Sequence, residues 1–345
     1  MRRLAALIVA GAFAGSLIAG SHAGATTEPP SSEPASSEPA SSEPAATVPD
    51  APPPDSLDIM APADPGGGWD STARAMQTVL DPMIDGAVEV ANVPGAGGTI
   101  GLADFAGRSG SGTDLMVMGS VMVGAIITNA SPVTLEEITP IASLTTEYLA
   151  VVVPEASDYE TFADLVADFQ EDPRSISWGG GSAGGTDHQL VALIAQAAAV
   201  EPGDVNYVAH AGGGEALASL LSNAVTVGVS GISEFRDQVD AGELRYLAVS
   251  SPEPVEGVEA PTIIESGLEV ELSNWRGVVA PAELSDEDRA SLLSTIDKMV
   301  NSEEWAAELE RNGWESFYQS GDAFVEFLSE QATQTEEVLA EIGLT

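Results

Sequence analysis

No cysteine occurs anywhere in the 345 residues. That removes disulfides, thiol nucleophiles, cysteine metal sites and a lipidated N-terminal cysteine together. Lysine is nearly absent as well, Lys298 being the single one, which leaves little room for lysine chemistry. Aromatic residues make up 5% of the chain, so stacking platforms for single-stranded nucleic acid or sugars are few. Positive charge is scarce: 11 Lys and Arg face 54 Asp and Glu, a formal net charge of −43. Such a body repels nucleic acid and anionic lipid, and neither is expected as a partner. What the chain does have is 44% hydrophobic residues, enough for sizeable cores, and a length that suggests two domains.

Arg2 and Arg3 precede an apolar stretch from Leu4 to about Gly20, and small residues follow at Ala23-Gly24-Ala25. Residues 1–25 therefore read as a secretory signal. A retained anchor is the alternative, because roughly 17 apolar residues lie at the lower edge of spanning length. Next, Ser-Ser-Glu-Pro-Ala recurs from Ser31, Ser36 and Ser41, and Pro52-Pro53-Pro54 follows. Acidic, proline-rich and without apolar anchors, residues 26–56 cannot bury enough surface to offset chain entropy. They are expected to be a stiff, solvated tether.

From Leu57 the pattern changes to short apolar runs alternating with helical stretches. Strands are expected at Leu57–Ala61, Val88–Val93, Asp114–Gly119, Ile138–Ser143, Tyr148–Val153, Ser175–Trp178, Val205–Val208, Val225–Val229, Leu244–Val249 and Val270–Val279. Helices are expected at Trp69–Leu80, Ile100–Ala106, Phe162–Phe169, Asp187–Ala199, Glu215–Leu221, Glu234–Ala241, Ser285–Val300, Ser302–Arg311 and Asp322–Glu341. Strands and helices taking turns argue for an α/β fold with mainly parallel sheets, and two sheets suit the length better than one.

Glycines collect where strands end and helices begin: Gly66-Gly67-Gly68, Gly95-Ala96-Gly97-Gly98, Gly179 to Gly185, and Gly212-Gly213-Gly214. Outside the carboxyl ends of parallel strands, helix N-termini offer unpaired N–H groups to an anion. The plainer reading of any one cluster is a tight turn. Gly179, Gly181 and Gly184 satisfy the dinucleotide pattern G-x-G-x-x-G, but the next strand ends in Ala209-His210 without the acidic residue a ribose requires. Gly180-Gly181-Ser182-Ala183-Gly184 also fits the nucleophile elbow G-x-S-x-G. A secreted serine esterase would then use Ser182 with His210, and Asp187 or Asp204 as orienter. That crowds the whole triad into one βαβ unit. No metal spacing is present, and neither a metal nor a cofactor is expected.

The ordered set Pro62-Ala63-Asp64-Pro65-Gly66-Gly67-Gly68-Trp69-Asp70 and Asn92-Val93-Pro94-Gly95-Ala96-Gly97-Gly98 opens a longer pattern. It continues through Trp178 to His188, Gly212-Gly213-Gly214-Glu215-Ala216-Leu217, Leu244 to Val249 and Asn274-Trp275-Arg276-Gly277-Val278-Val279-Ala280-Pro281. Together these resemble the periplasmic substrate-binding components of tripartite tricarboxylate transporters, the Bug family, over essentially all of Leu57 to Leu344. The resemblance implies a two-lobed α/β binding protein of periplasmic-binding-protein type with a ligand crevice between the lobes. Lobe 1 would take residues 57–142 and 251–345, and lobe 2 residues 143–250.

The same resemblance implies capture of a small di- or tricarboxylate by a monomer that hands it to a membrane permease with a large and a small subunit, with no catalytic step. The family's first loop maps onto Asp64, Pro65, Gly66, Gly67, Gly68, Trp69 and Asp70. The facing loop maps onto Gly181, Ser182, Ala183, Gly184, Thr186 and His188, and strand ends at Gly119-Ser120 and Ser230 are expected to add contacts. Trp69 and Ser230 stand where many relatives carry Thr and Asp, which looks more like the citrate-type branch. A carboxylate sensor feeding a membrane kinase would leave the same marks. Asp70 is read as a helix cap or a ligand-side group, Trp69 as a lid or a core aromatic. Arg276 is read as a structural ion pair in preference to a ligand contact.

Overall fold

The computed structural model describes residues 48–341, 343 and 344. The expected signal and most of the expected tether lie outside them. The first half of the chain gives β1 (Leu57–Ala61), α1 (Gly68–Leu80), β2 (Val88–Asn92), α2 (Thr99–Ala106), β3 (Asp114–Gly119), α3 (Ser120–Thr128), β4 (Ile138–Pro154) and α4 (Phe162–Glu171). Then come β5 (Ser177–Gly180), α5 (Thr186–Ala197), β6 (Asn206–Ala209), α6 (Gly213–Leu221), β7 (Val227–Gly231), α7 (Ile232–Asp240) and β8 (Leu244–Val249). The remainder gives β9 (Ser273–Pro281), α8 (Asp286–Val300), α9 (Glu303–Asn312), β10 (Glu315–Ser320) and α10 (Asp322–Glu341).

The expected strands at Ile138–Ser143 and Tyr148–Val153 are one continuous 17-residue strand, β4. Its first part pairs with β9 and β10, and its second part with β7 and β8. It is therefore the common spine of two sheets. Parallel pairing is confined to β2-β1-β3 and to β6-β5-β7, whereas every strand beside β4 runs antiparallel to it. The α/β class holds, and the sheets are mixed where they join. The stretch Ser143 to Glu147 looks pliable in sequence. It is strand hydrogen-bonded on both sides, with register irregularities at Pro140/Ala142 and Ser143/Thr145.

Two apolar cores flank the joint. One gathers β1, β3, α1, the start of β4, β9 and α8, with Trp275, Trp305 and Phe324 fully covered. The other gathers Leu149, Val151, Trp178, Leu190 and Val229, and it includes Ile263, Val270 and Leu272. Val338 and Leu339 of α10 pack against Ala192 of α5, so the last helix touches both halves. Within the segment expected as a tether, Ala51 and Pro52 are hydrogen-bonded to Ser294 and Ser291 of α8, and Asp50 pairs with Lys298 at 3.0 Å.

Two elements escape the sequence reading. Helix α3 follows β3 with no intervening loop, and its Val- and Ile-rich run Ser120–Thr128 carries no helical stripe. Strand β10, Glu-Ser-Phe-Tyr-Gln-Ser, is polar and half-exposed and exists because β4 supplies its hydrogen bonds.

Candidate functional site

The carboxyl ends of β1, β5, β6 and β7 all open on one crevice of about 420 Å³ between the lobes. Helices α1, α5 and α6 begin there with glycine at each N-cap and no side-chain cap. A glycine cap leaves the first N–H groups accessible, and each helix end carries roughly half a positive charge.

Asp64, Pro65, Gly66, Gly67, Gly68 and Trp69 line the crevice from lobe 1, and Gly181, Ser182, Thr186 and Ser230 line it from lobe 2. The other expected residues stand behind it. Asp70 is buried and accepts from Gly66 N at 2.8 Å, Asn92 Nδ2 at 2.9 Å and Arg74 Nε at 2.9 Å. Burial alone would raise its pKa, but these bonds outweigh it and leave the carboxyl below its usual value. Asp70 therefore braces the first loop to β2. It does not cap α1.

Gly119 gives close passage to β9, where a Cβ would strike the carbonyl of Trp275. Ser120 Oγ donates to Asn274 Oδ1 at 2.7 Å and lies 2.9 Å from Thr186 Oγ1, joining the lobes under the crevice. Ala183 is exposed, and its carbonyl accepts from Thr128 Oγ1 at 3.3 Å. Gly184, at φ +75°, donates to His188 Nδ1 at 3.1 Å, and the imidazole stacks on Tyr207 with centroids 4.0 Å apart. Burial pushes the His188 pKa down to about 4, so the ring is a neutral acceptor that shapes the loop. Trp69 packs in the lobe 1 core, 8% exposed, and also lines the crevice.

The site holds several groups that the sequence reading left out. Gly97, Asp187, Glu215, Glu234, Asn274 and Arg276 all line the crevice. Arg276 is 2% exposed, pairs with buried Glu147 from β4, and lies over the Trp314 ring at 5.2 Å. It is both the structural ion pair expected and a wall of the site. Its Nη1 and the buried Ser182 Oγ have no hydrogen-bond partner among the described residues. Of the nine buried side-chain polar atoms without a partner among the described residues, these two belong to residues that line the crevice.

The chain's own side chains meet several of the loop N–H groups. Gly181 N donates to Asp187 Oδ2 at 2.7 Å and Ala211 N to Glu215 at 3.0 Å, while the Glu234 carboxylate lies beside the Gly68 backbone. The expectation that the glycine loops keep these groups for a ligand is thus corrected at Gly66, Gly181 and Gly184. His210 is occupied elsewhere, with Nδ1 on the Gly180 carbonyl at 3.0 Å and Nε2 on Ser219 at 2.7 Å. Ser182 has no base beside it, and the elbow motif lacks its triad.

Asp187 is fully buried, and desolvation, with Glu234 and Glu147 nearby, raises its pKa to about 7 against the bond from Gly181. With a folded pKa above the unfolded one, its stabilising share is complete below pH 3.8 and is lost as pH climbs through about 7. Asp187→Asn should therefore gain on the wild type between pH 4 and pH 8, by on the order of 1–3 kcal/mol. Thermal melts of both proteins across that range check it; a constant difference would remove the titration from Asp187.

Residues 72–344 match the model of the tripartite tricarboxylate transporter family receptor. The chain belongs to this family. Among curated relatives, Protein BugT of Bordetella pertussis is 26% identical over 231 residues, 65% of this chain and 70% of BugT. Among solved structures, an R. palustris protein with adipate superposes with TM-score 0.77 at 21% identity, covering 84% of this chain and 97% of that one. MatC from Rhodopseudomonas palustris with bound malate gives TM-score 0.72 at 19% identity, over 82% and 98%. Those two likenesses carry the fold of this receptor. Among the described residues no helix is long and apolar enough to cross a membrane.

Proposed function

We propose that this receptor works outside the cytoplasm, closes around a small organic acid and passes it to a membrane permease with a large and a small subunit. The observation that carries the reading is the pair of unpartnered buried donors, Arg276 Nη1 and Ser182 Oγ, on the walls of a crevice where three helix N-termini converge. A carboxylate satisfies both donors and gains from the helix ends. Malate and adipate in the solved relatives, and the citrate-like acid the sequence suggests, define the first compounds to try. For the moving bodies, the packing of Ile263, Val270 and Leu272 supports extending lobe 2 to Leu272. The hinge is then β4 near Glu147 together with the strand start at Ser273.

Gly67→Val and Gly181→Val test the site. A Cβ at Gly67 meets only ordinary contacts, 3.4 Å from the Asp64 carbonyl, and at Gly181 it lies 3.1 Å from Asp187 Oδ2. Both variants should fold and lose at least about tenfold in affinity for whichever acid shifts the wild-type melt, a loss of about 1.4 kcal/mol or more. Titration calorimetry reads the result. Undiminished binding by both variants would move the site away from these loops.

A further inference from the structure

We propose that Glu234 sets the specificity of this crevice, selecting acids that carry a cationic or hydrogen-bond-donating group beside the carboxylate and turning away polyanions. The inference rests on the reading of the crevice as an acid-binding site and names the class of acid. Glu234 stands in the first turn of α7 and reaches across from lobe 2. Its carboxylate accepts from Ser230 Oγ at 3.0 Å and lies beside the Gly68 backbone at the start of α1. A Cβ on Gly213 would collide with it, so the fourth glycine cluster is built to admit this side chain. A carboxylate supplied by the protein thus already occupies the helix end where a second ligand carboxylate would be held.

The charges around it point the same way. Asp64, Asp187, Glu215 and Glu234 line the crevice, and Glu147 lies just behind. Against these stands Arg276, whose Nη2 faces Glu147 while Nη1 remains unpartnered and buried. The point where a Gly68 Cβ would sit is 2.5 Å from Arg276 Nη2 and 3.0 Å from Glu234 Oε1. One cation and one anion are therefore side by side, which is the complement of a zwitterion. Burial and the Glu147 charge raise the Glu234 pKa while Arg276 lowers it, so a ligand ammonium would favour its ionised form. A second or third ligand carboxylate would instead meet like charge in a poorly solvated cleft, an arrangement that rejects as well as selects.

The probes are matched in size: 4-aminobutanoate against succinate, with L-alanine, malate and citrate beside them, measured by calorimetry at fixed pH and salt. At least one amino acid should bind the wild type tenfold or more tightly than succinate, malate or citrate. Glu234→Gln, which keeps the shape and removes the charge, should shrink that ratio at least tenfold. Succinate, malate or citrate binding the wild type as tightly as the amino acids would overturn the proposal and leave the acid-binding reading standing. An unchanged ratio in Glu234→Gln would overturn it too. Binding of none of these acids would remove the reading beneath it and the proposal together. The wild-type comparison decides even where the variant does not fold.

Discussion

Arg276→Met should destabilise the protein by about 3–5 kcal/mol, because it leaves Glu147 buried without its counter-charge. The loss extends beyond one pair. Glu234 and Glu147 both raise the pKa of Asp187, and Arg276 is the cation that lowers that of Glu234. Glu147→Gln should cost clearly less, since Arg276 then keeps Glu234 as a neighbour, and Ser233 Oγ, now donating at 2.7 Å, still has an acceptor in the amide oxygen. Urea unfolding of the two variants measures both losses. A cost below about 1 kcal/mol for Arg276→Met, or the opposite order, would show that water already compensates the buried charge.

Gly124→Leu should abolish tight ligand binding while sparing the two cores. Gly124 sits on α3 against the facing loop, where a Cβ would overlap the carbonyl of Gly184 and come within 2.8 Å of Gln189 Nε2. Nearby, Thr128 reaches the Ala183 carbonyl and Ser120 reaches Thr186, so this is the edge along which the lobes meet. A leucine there wedges the crevice apart. Ligand stabilises the closed form only through its differential contacts, and affinity should fall by about 100-fold, or roughly 2.7 kcal/mol. Small-angle scattering should give a larger radius of gyration for the variant than for the wild type under saturating ligand. Equal radii and equal affinity would place the closing edge elsewhere.

Much of the fold is legible in the sequence because many of its strands are short apolar runs bounded by polar or turn residues. Leu57–Ala61, Asp114–Gly119 and Leu244–Val249 stand in the structure with the ends expected. The long β4 reads as two strands because polar Thr145, Thr146 and Glu147 interrupt its apolar pattern. Thr145 and Glu147 are buried in the joint, and Glu147 is tolerated there by Arg276. Local propensity holds no trace of a partner so far along the chain. For the same reason the loops of the site are visible in sequence as glycine clusters and Arg276 as an ion pair, while Glu234 is not. Glu234 looks like an ordinary acidic residue in the first turn of a helix. Its position against Gly68 arises only when the two lobes meet. In sequence Asp187 reads only as the orienter of a serine, and the structure gives it instead to the Gly181 amide.

Strand β9 lies between β3 and β4, although β3 ends at Gly119 and β9 begins at Ser273. Leu149 to Leu272, by contrast, form a continuous stretch whose strands find one another locally, save for the β4 spine they share. The lobes therefore do not mature in the order in which the chain emerges. The N-terminal strands must wait, with the fully buried Val117 and Met118 of β3 uncovered on one edge, until the far end of the chain arrives to fill the gap. Closing so long a loop is slow, and a waiting apolar edge is the kind of surface that chaperones hold. A late-completing sheet also keeps the chain threadable for longer, which suits the place outside the cytoplasm proposed for this receptor.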